Sequence, residues 1–257
     1  PDIDFDFILS QNKCGQFPVA MQVSNMLQIP VISIEHCLPM PWWTKHDIIP
    51  WQQKGDINLF ISEYSRGKWG YDGEVIHHGI DTELFKDRGL ERGNHILSVV
   101  NDWINRGQIL GFDIWQRVTQ GLPVAVLGDT PGLSLPAPSV QALAHVYATS
   151  SIFLNTSIVS PIPTSLLEAM SSGCACVSTN NCMIPEIIEH GVNGFLTNDE
   201  KEMRHYLEFL LKNSKEARKM GENARKTIES RFSLNSFVTN WNNIFDRAAN
   251  MYLKELK

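Results

Sequence analysis

Between residues 130 and 185 the sequence carries a single Asp, Glu, Lys or Arg, and it is Glu168. Taking an unpaired carboxylate out of water is costly, so a lone acid in so apolar a stretch needs a partner, from the protein or from a ligand. Glu168 stands in Thr164-Ser165-Leu166-Leu167-Glu168-Ala169-Met170, a helical pattern that follows a strand and a Pro-containing loop. Two readings stand side by side. Thr164 or Ser165 is a natural N-cap, which makes Glu168 a capping-box glutamate in the first turn. Alternatively, the loop 157–163 leaves the first amides of the helix free for an anion such as a diphosphate, and a glutamate one turn on accepts hydrogen bonds from ribose hydroxyls. A second candidate closes the run Ile29-Pro30-Val31-Ile32-Ser33-Ile34-Glu35-His36. A histidine leaving the carboxyl end of a buried parallel strand stands where active sites form; the plainer alternative is a hydrogen-bonded structural histidine. Glu35 could orient His36, but neighbours along a strand point to opposite faces. The pair His77-His78 assigns no metal, because adjacent strand residues rarely chelate together.

These residues need a scaffold, and the hydrophobic pattern supplies one. Short apolar, β-branched runs at 5–9, 30–34, 57–62, 74–77, 96–100, 123–127, 152–155, 175–179 and 194–197 read as strands. Helical patterns at 17–27, 109–119, 139–148 and 164–172 lie between them. Apolar, non-alternating strands separated by helices predict parallel sheets covered on both faces, an α/β fold with ligands at the strands' carboxyl ends. The charged, glycine-containing segment 82–93 reads as a linker between two α/β units, residues 1–81 and 94–235. Residues 236–257 read as a C-terminal helix. Its stripe of Phe237, Trp241, Ile244, Phe245, Ala248 and Met251 either touches a membrane or partner, or packs back across the domains as a closing helix.

At 257 residues the chain can bury a sizeable core. Its net charge of -6 and lack of a basic run argue against nucleic acid. Cys14, Cys37, Cys174, Cys176 and Cys182 form neither a disulfide framework nor a zinc motif, which points to reducing cytoplasm, with Cys174 and Cys176 as small buried residues. No apolar run approaches the roughly 18 residues of a membrane span. No signal peptide is visible, and a chain opening on Pro1 reads as one that has lost its initiator Met or as a piece of a longer protein.

Residues 160–197 resemble the donor-site signature of the family-four (group 1) retaining glycosyltransferases. Glu168-Ala169-Met170, Gly173, Pro185-Glu186 and Gly191-x-Asn193-Gly194 fall in register with that signature. The resemblance continues more weakly from about Asp6 to Phe232 and covers an abridged N-terminal domain. It implies a GT-B fold, two Rossmann-type parallel-sheet domains with the N-terminal one small or incomplete. The implied activity is transfer of a sugar from a nucleoside-diphosphate sugar to a saccharide or lipid-linked acceptor, with retention, in polysaccharide biosynthesis. No cofactor is implied, no metal is assigned, and peripheral membrane contact remains open. In the family, the signature's first glutamate contacts the transferred sugar; Ser160 holds that position here. Its second glutamate contacts the nucleotide ribose, and Glu168 preserves it, behind Thr164, Ser165 and Leu166 at the helix start.

The resemblance places two phosphate-clamping cations five residues apart after the strand at 96–100. Asn101 stands at the first position and Arg106 at the second; a guanidinium can bridge two phosphate oxygens, while the alternative is a solvated loop arginine. Gly128, in Leu127-Gly128-Asp129-Thr130-Pro131, matches the glycine loop before the helix from Ser139 whose backbone reads the nucleobase; Gly128 serving only a turn is the alternative. His36 matches a histidine that faces the donor sugar. The catalytic set implied is therefore His36, Arg106 and Glu168. Trp42, Trp43 and Trp51 stack on an acceptor sugar or cover apolar surface under loops. Two other functions compete: a catalytically weak nucleotide- or glycan-binding module, favoured by Ser160 and Asn101, and a GT-B nucleotide-sugar epimerase, which needs no acceptor.

Overall fold

The computed structural model describes residues 4–11 and 16–251; Cys14 and Leu253 lie outside them. All nine expected strands are present, in two separate sheets whose strands are all parallel. The chain divides into two compact units: Gly79–Leu234, and the described residues before and after that span.

The first unit runs β1 (Ile8–Ser10), α1 (Gln16–Leu27), β2 (Val31–Glu35), α2 (Lys45–Ile48), β3 (Ile57–Phe60), α3 (Glu63–Trp69) and β4 (Glu74–Val75). Its sheet has the order β1-β2-β3-β4. Every residue of β2 is buried, as a strand covered on both faces must be.

The second unit runs β5 (Gly93–Val99), α4 (Trp103–Leu110), α5 (Phe112–Thr119), β6 (Val124–Leu127), α6 (Val140–Ala148), β7 (Ser150–Asn155), α7 (Thr164–Ser171), β8 (Ala175–Ser178), α8 (Ile184–Ile187), β9 (Phe195–Leu196), α9 (Glu200–Lys212) and α10 (Ser214–Arg231). Its sheet has the order β6-β5-β7-β8-β9. After β6 the chain crosses to the far side of β5, so the order reverses between β5 and β7. Such a switch point opens a crevice at the strands' carboxyl ends. The helix α11 (Leu234–Ala249) follows in sequence but belongs, from Asn235 on, to the first unit. There Ile244 and Ala248 are buried and Phe245 stacks on Phe7 at 5.1 Å, so much of the expected stripe is turned inward.

The helix expected over 109–119 is two helices. Gly111 breaks it in the left-handed region at φ 69°, where an added Cβ would lie 2.0 Å from the Thr156 carbonyl oxygen. The break lets Trp103, Phe112 and Trp115 pack as one aromatic cluster on Ile96, Ile152 and Leu154. Burying a large side chain contributes about 1.5–3 kcal/mol, and Trp103 is the anchor that seats α4. The segment 82–93, expected as a linker, packs into the second unit: Phe85 is buried, and Arg92 donates to the carbonyls of Ser150 and Ser172 at 2.6 Å each. Cys174 and Cys176 are fully buried, and burial pushes the Cys174 thiol up to about 11, which makes it an inert core residue.

Candidate functional site

The β5–β7 crevice holds a cavity of about 320 Å3. Asn101 enters it from the end of β5, Asn155 and Ser157 from the end of β7, and Arg106 from α4. Ser160, Thr164, Ser165 and Glu168 line it from the loop before α7 and from α7 itself. Six candidate site residues therefore converge on one cavity, at the place where the sheet topology alone puts ligands.

The N-terminus of α7 differs from the capping-box expectation. Its N-cap is Pro163, and no side chain caps it. Neither Thr164 nor Ser165 is the N-cap, because the helix already begins at Thr164, one residue too early for the first and two for the second. The proline side chain offers no acceptor and its carbonyl takes the amides of Leu166 and Leu167 at 3.0 and 3.3 Å, which leaves the amides of Thr164 and Ser165 uncapped beside the cavity, with the positive end of the helix dipole behind them. Glu168 is consequently no capping glutamate. It is half-buried, and its Oε2 accepts the Tyr147 hydroxyl at 3.0 Å. Burial raises its pKa above the ordinary carboxylate value, partly offset by that hydrogen bond. Tyr147 is fully buried, and its own pKa is raised first by burial and then by the charge of Glu168. Tyr147 fixes the carboxylate while leaving other acceptor positions on it for a ligand.

Arg106 lies in the first turns of α4, where the sequence suggested a loop. It is exposed and makes no ion pair among the described residues. The N-terminus of α4 is occupied by protein groups: the amide of Asp102 donates to Asp129 Oδ1 at 2.6 Å and that of Trp103 to Thr130 Oγ1 at 3.0 Å. This explains Gly128. It adopts φ 141°, and a Cβ there would lie 1.8 Å from the Val100 carbonyl oxygen, so only glycine lets the loop approach β5 and bring Asp129 and Thr130 to α4. Gly128 does not line the cavity; the turn alternative is the one its geometry carries.

Ser139 is the N-cap of α6, accepting from the Ala142 amide at 3.1 Å, and it too stays outside the cavity; Leu143, one turn on, lines it. Leu166 is fully buried in the core. His36 lies in the first unit, with its ring stacked on that of His78 at 6.0 Å. Glu35 is buried and accepts the Tyr71 hydroxyl at 3.0 Å, pointing away from His36 as strand alternation requires. Trp43 stacks on Trp51 at 5.6 Å, while Trp42 is 75% exposed. An Asp-x-Asp triplet does occur, at Asp4-Phe5-Asp6, exposed ahead of β1; among the described residues no group of three or more His, Cys, Asp or Glu could hold a metal ion. Asn155, Ser157 and Tyr147 were missed in the sequence. The polar end of the strand at 152–155 could have revealed Asn155, whereas nothing local couples Tyr147 to Glu168.

Two parallel α/β units, one with its cavity at a topological switch point, make this a GT-B fold. Anabaena HepE in complex with UDP superposes with a TM-score of 0.73 at 16% identity, covering 93% of this chain and 78% of that one. Sucrose-phosphate synthase from Thermosynechococcus elongatus superposes at 0.76 with 12% identity, covering 95% and 73%. Residues 136–227, which contain Ser139, Ser160 and Glu168, match the family model described as glycosyl transferases group 1. N-acetyl-alpha-D-glucosaminyl L-malate synthase of Bacillus anthracis is 32% identical over 105 residues, 40% of this chain. Spore coat protein SA of Bacillus subtilis (strain 168) is 27% identical over 109 residues, 41% of this chain. The matches span only 28% and 29% of those relatives' own lengths. No helix among the described residues is long and apolar enough to cross a membrane.

Proposed function

We propose that this protein is a glycosyltransferase that moves a sugar from a UDP-sugar to an acceptor hydroxyl, with retention of anomeric configuration and without a metal ion. The observation that carries this reading is the convergence of the uncapped α7 amides, Arg106 and Glu168 on one cavity at the β5–β7 switch point. The amides and Arg106 suit a diphosphate, since both are preorganised donors aimed where negative charge develops as the donor bond breaks. Glu168 accepts the ribose hydroxyls, and Asn101 and Ser157 add neutral polar contacts. UDP is favoured because solved neighbours of the same fold hold UDP and UDP-glucose.

In the transfer, the acceptor oxygen bonds to the anomeric carbon and the bond from that carbon to the diphosphate breaks. The electron pair leaves with UDP, and the acceptor proton passes to the leaving phosphate oxygen. The transition state is oxocarbenium-like, as in other glycosyl chemistry. Ser160, in place of a glutamate, gives the transferred sugar a hydroxyl contact weaker than a charged one.

The test is UDP release from a panel of UDP-sugars with and without a mixed glycoside acceptor, read by mass spectrometry of the products. A new glycoside formed only with acceptor supports transfer. Isomerised donor without acceptor would mean an epimerase, and UDP binding with no product from any donor a binding module.

A further inference from the structure

Glu168 reaches the β5–β7 cavity from α7 with one oxygen committed and one available. Oε2 accepts the Tyr147 hydroxyl at 3.0 Å, while Oε1 makes no hydrogen bond among the described residues. The donor of that bond is held more firmly than its acceptor. Tyr147 is fully buried in the last turn of α6. Phe85 meets its ring edge-on at 5.9 Å, and Phe153 of β7 lies tilted against it at 6.0 Å. Its carbonyl is bonded as well, accepting from the Cys174 thiol at 3.3 Å and from the Arg92 guanidinium at 3.5 Å.

Phenylalanine would fill the same space, so packing alone does not call for the hydroxyl. A buried hydroxyl is costly unless bonded, and this one is spent on a side chain that lines the cavity. It is a donor at any ordinary pH, because burial raises the Tyr147 pKa well above the usual tyrosine value and the charge of Glu168 raises it further. Burial also raises the Glu168 pKa, and the bond from Tyr147 opposes that rise.

We propose that Tyr147 is a positioning residue for nucleotide binding, which holds Glu168 with Oε1 presented to the ribose hydroxyls; this rests on the reading of the β5–β7 cavity as a nucleotide site. Tyr147 does not line the cavity, so its effect passes through the carboxylate. Two consequences separate this role from packing. Only a nucleotide that carries ribose hydroxyls profits from it. Protonation of Glu168 also places the proton on Oε1, since Oε2 is occupied, and turns an acceptor into a donor. The preference for ribose is therefore lost as pH falls through the Glu168 pKa, and Tyr147 keeps that loss at low pH. Few other charged or titratable groups surround the carboxylate. Arg106 of α4 lines the same cavity, and β7 contributes the neutral Asn155 and Ser157. The Cys174 and Cys176 thiols act on Tyr147, and burial keeps both protonated. Arg225 of α10 bonds the far end of α7, donating to the Ser171 carbonyl at 2.7 Å.

The experiment is calorimetric titration of UDP and of 2′,3′-dideoxy-UDP, between about pH 5 and about pH 8, into the parent, Tyr147→Phe and Glu168→Gln. The ratio of the two Kd values is read, because the terminal phosphate titrates alike in both ligands. The parent binds UDP at least about tenfold tighter than the dideoxy compound near neutral pH. Tyr147→Phe weakens UDP about tenfold and the dideoxy compound less than about twofold, and the pH at which the preference is lost rises by about one pH unit. Glu168→Gln makes the remaining preference independent of pH. A second variant covers the case in which Tyr147→Phe does not fold. Site-specific replacement of Tyr147 by 3-fluorotyrosine keeps the hydroxyl, makes it a stronger donor, and moves the loss of preference to lower pH. Equal weakening of both ligands in Tyr147→Phe, or a loss of preference at the same pH whatever stands at 147, would overturn the assignment. A parent that binds neither ligand sinks the nucleotide site itself. A parent that prefers UDP, with a Tyr147→Phe that keeps the preference, sinks the role of Tyr147 alone.

Discussion

Replacing Glu168 by Gln should damage nucleotide binding while leaving the fold intact or firmer. Glutamine keeps the shape of the side chain, and its carbonyl oxygen can still accept the Tyr147 hydroxyl that Glu168 accepts at 3.0 Å. What is lost is the charge. A hydrogen bond to a charged group contributes about 1.5–3 kcal/mol and one between neutral groups about 0.5–1.5, so each ribose hydroxyl loses about 1 kcal/mol. Two hydroxyls lose about 2 kcal/mol, or roughly 30-fold in Kd for UDP. Folding moves the other way. Burial holds the pKa of Glu168 above the ordinary glutamate value, so the native state binds that proton more tightly than the unfolded chain. The carboxylate therefore costs stability as pH rises through its folded pKa, and a neutral amide removes that cost. Calorimetry with UDP and a thermal melt near neutral pH read both halves. The reasoning is refuted by a Kd within about threefold of the parent, or by a Glu168→Gln melt several degrees lower.

Three further outcomes follow from the geometry. Arg106→Ala should weaken UDP about tenfold or more while leaving uridine unchanged, because a single exposed guanidinium serves only the phosphates; paired titrations of the two ligands check this. Gly128→Ala should lower the melting temperature by several degrees, since a Cβ cannot coexist with the Val100 carbonyl at 1.8 Å and φ 141° is strained for alanine. A parent-like melt would mean the loop is not pinned as described. Acidification should destabilise the first unit: the pKa values of His36 and His78 are lowered from 6.5, so the unfolded chain binds protons more readily and stability falls as pH drops below about 6.5. Melts at about pH 7.5 and about pH 5.5 test this, and His78→Gln should shrink the difference.

The fold was legible because its signal is periodic. Nine apolar runs between helical patterns dictate parallel sheets, and strand ends alone nominated His36 and the loop before α7. Glu168 was legible for a different reason: an acid isolated in an apolar stretch of some fifty residues has to have a partner. Its partner was not legible, because Tyr147 lies 21 residues away and meets it only through the packing of α6 on α7. The break at Gly111 was hidden too, since its cause is the carbonyl of Thr156, supplied by the chain after β7. Gly128 shows the limit of motif reading. Its position matches a nucleotide-binding loop, yet its glycine is required by the closeness of Val100 and not by a cavity it does not touch. The apolar stripe of α11 was visible as a helical period, but the packing of Phe245 on Phe7 is a tertiary fact.

The central claim is that the cavity between the ends of β5 and β7 binds the donor nucleotide. It is tested most directly by the melting temperature of the chain with UDP, GDP, ADP and their glucose conjugates, each in large excess. A ligand at about 100 times its Kd adds about 2.7 kcal/mol, which for a chain of this size is roughly 5–10 °C. UDP and UDP-glucose should give that shift, and Arg106→Ala and Glu168→Ala should each abolish most of it. A melt unmoved by every nucleotide, or a shift that survives both substitutions, would contradict the account.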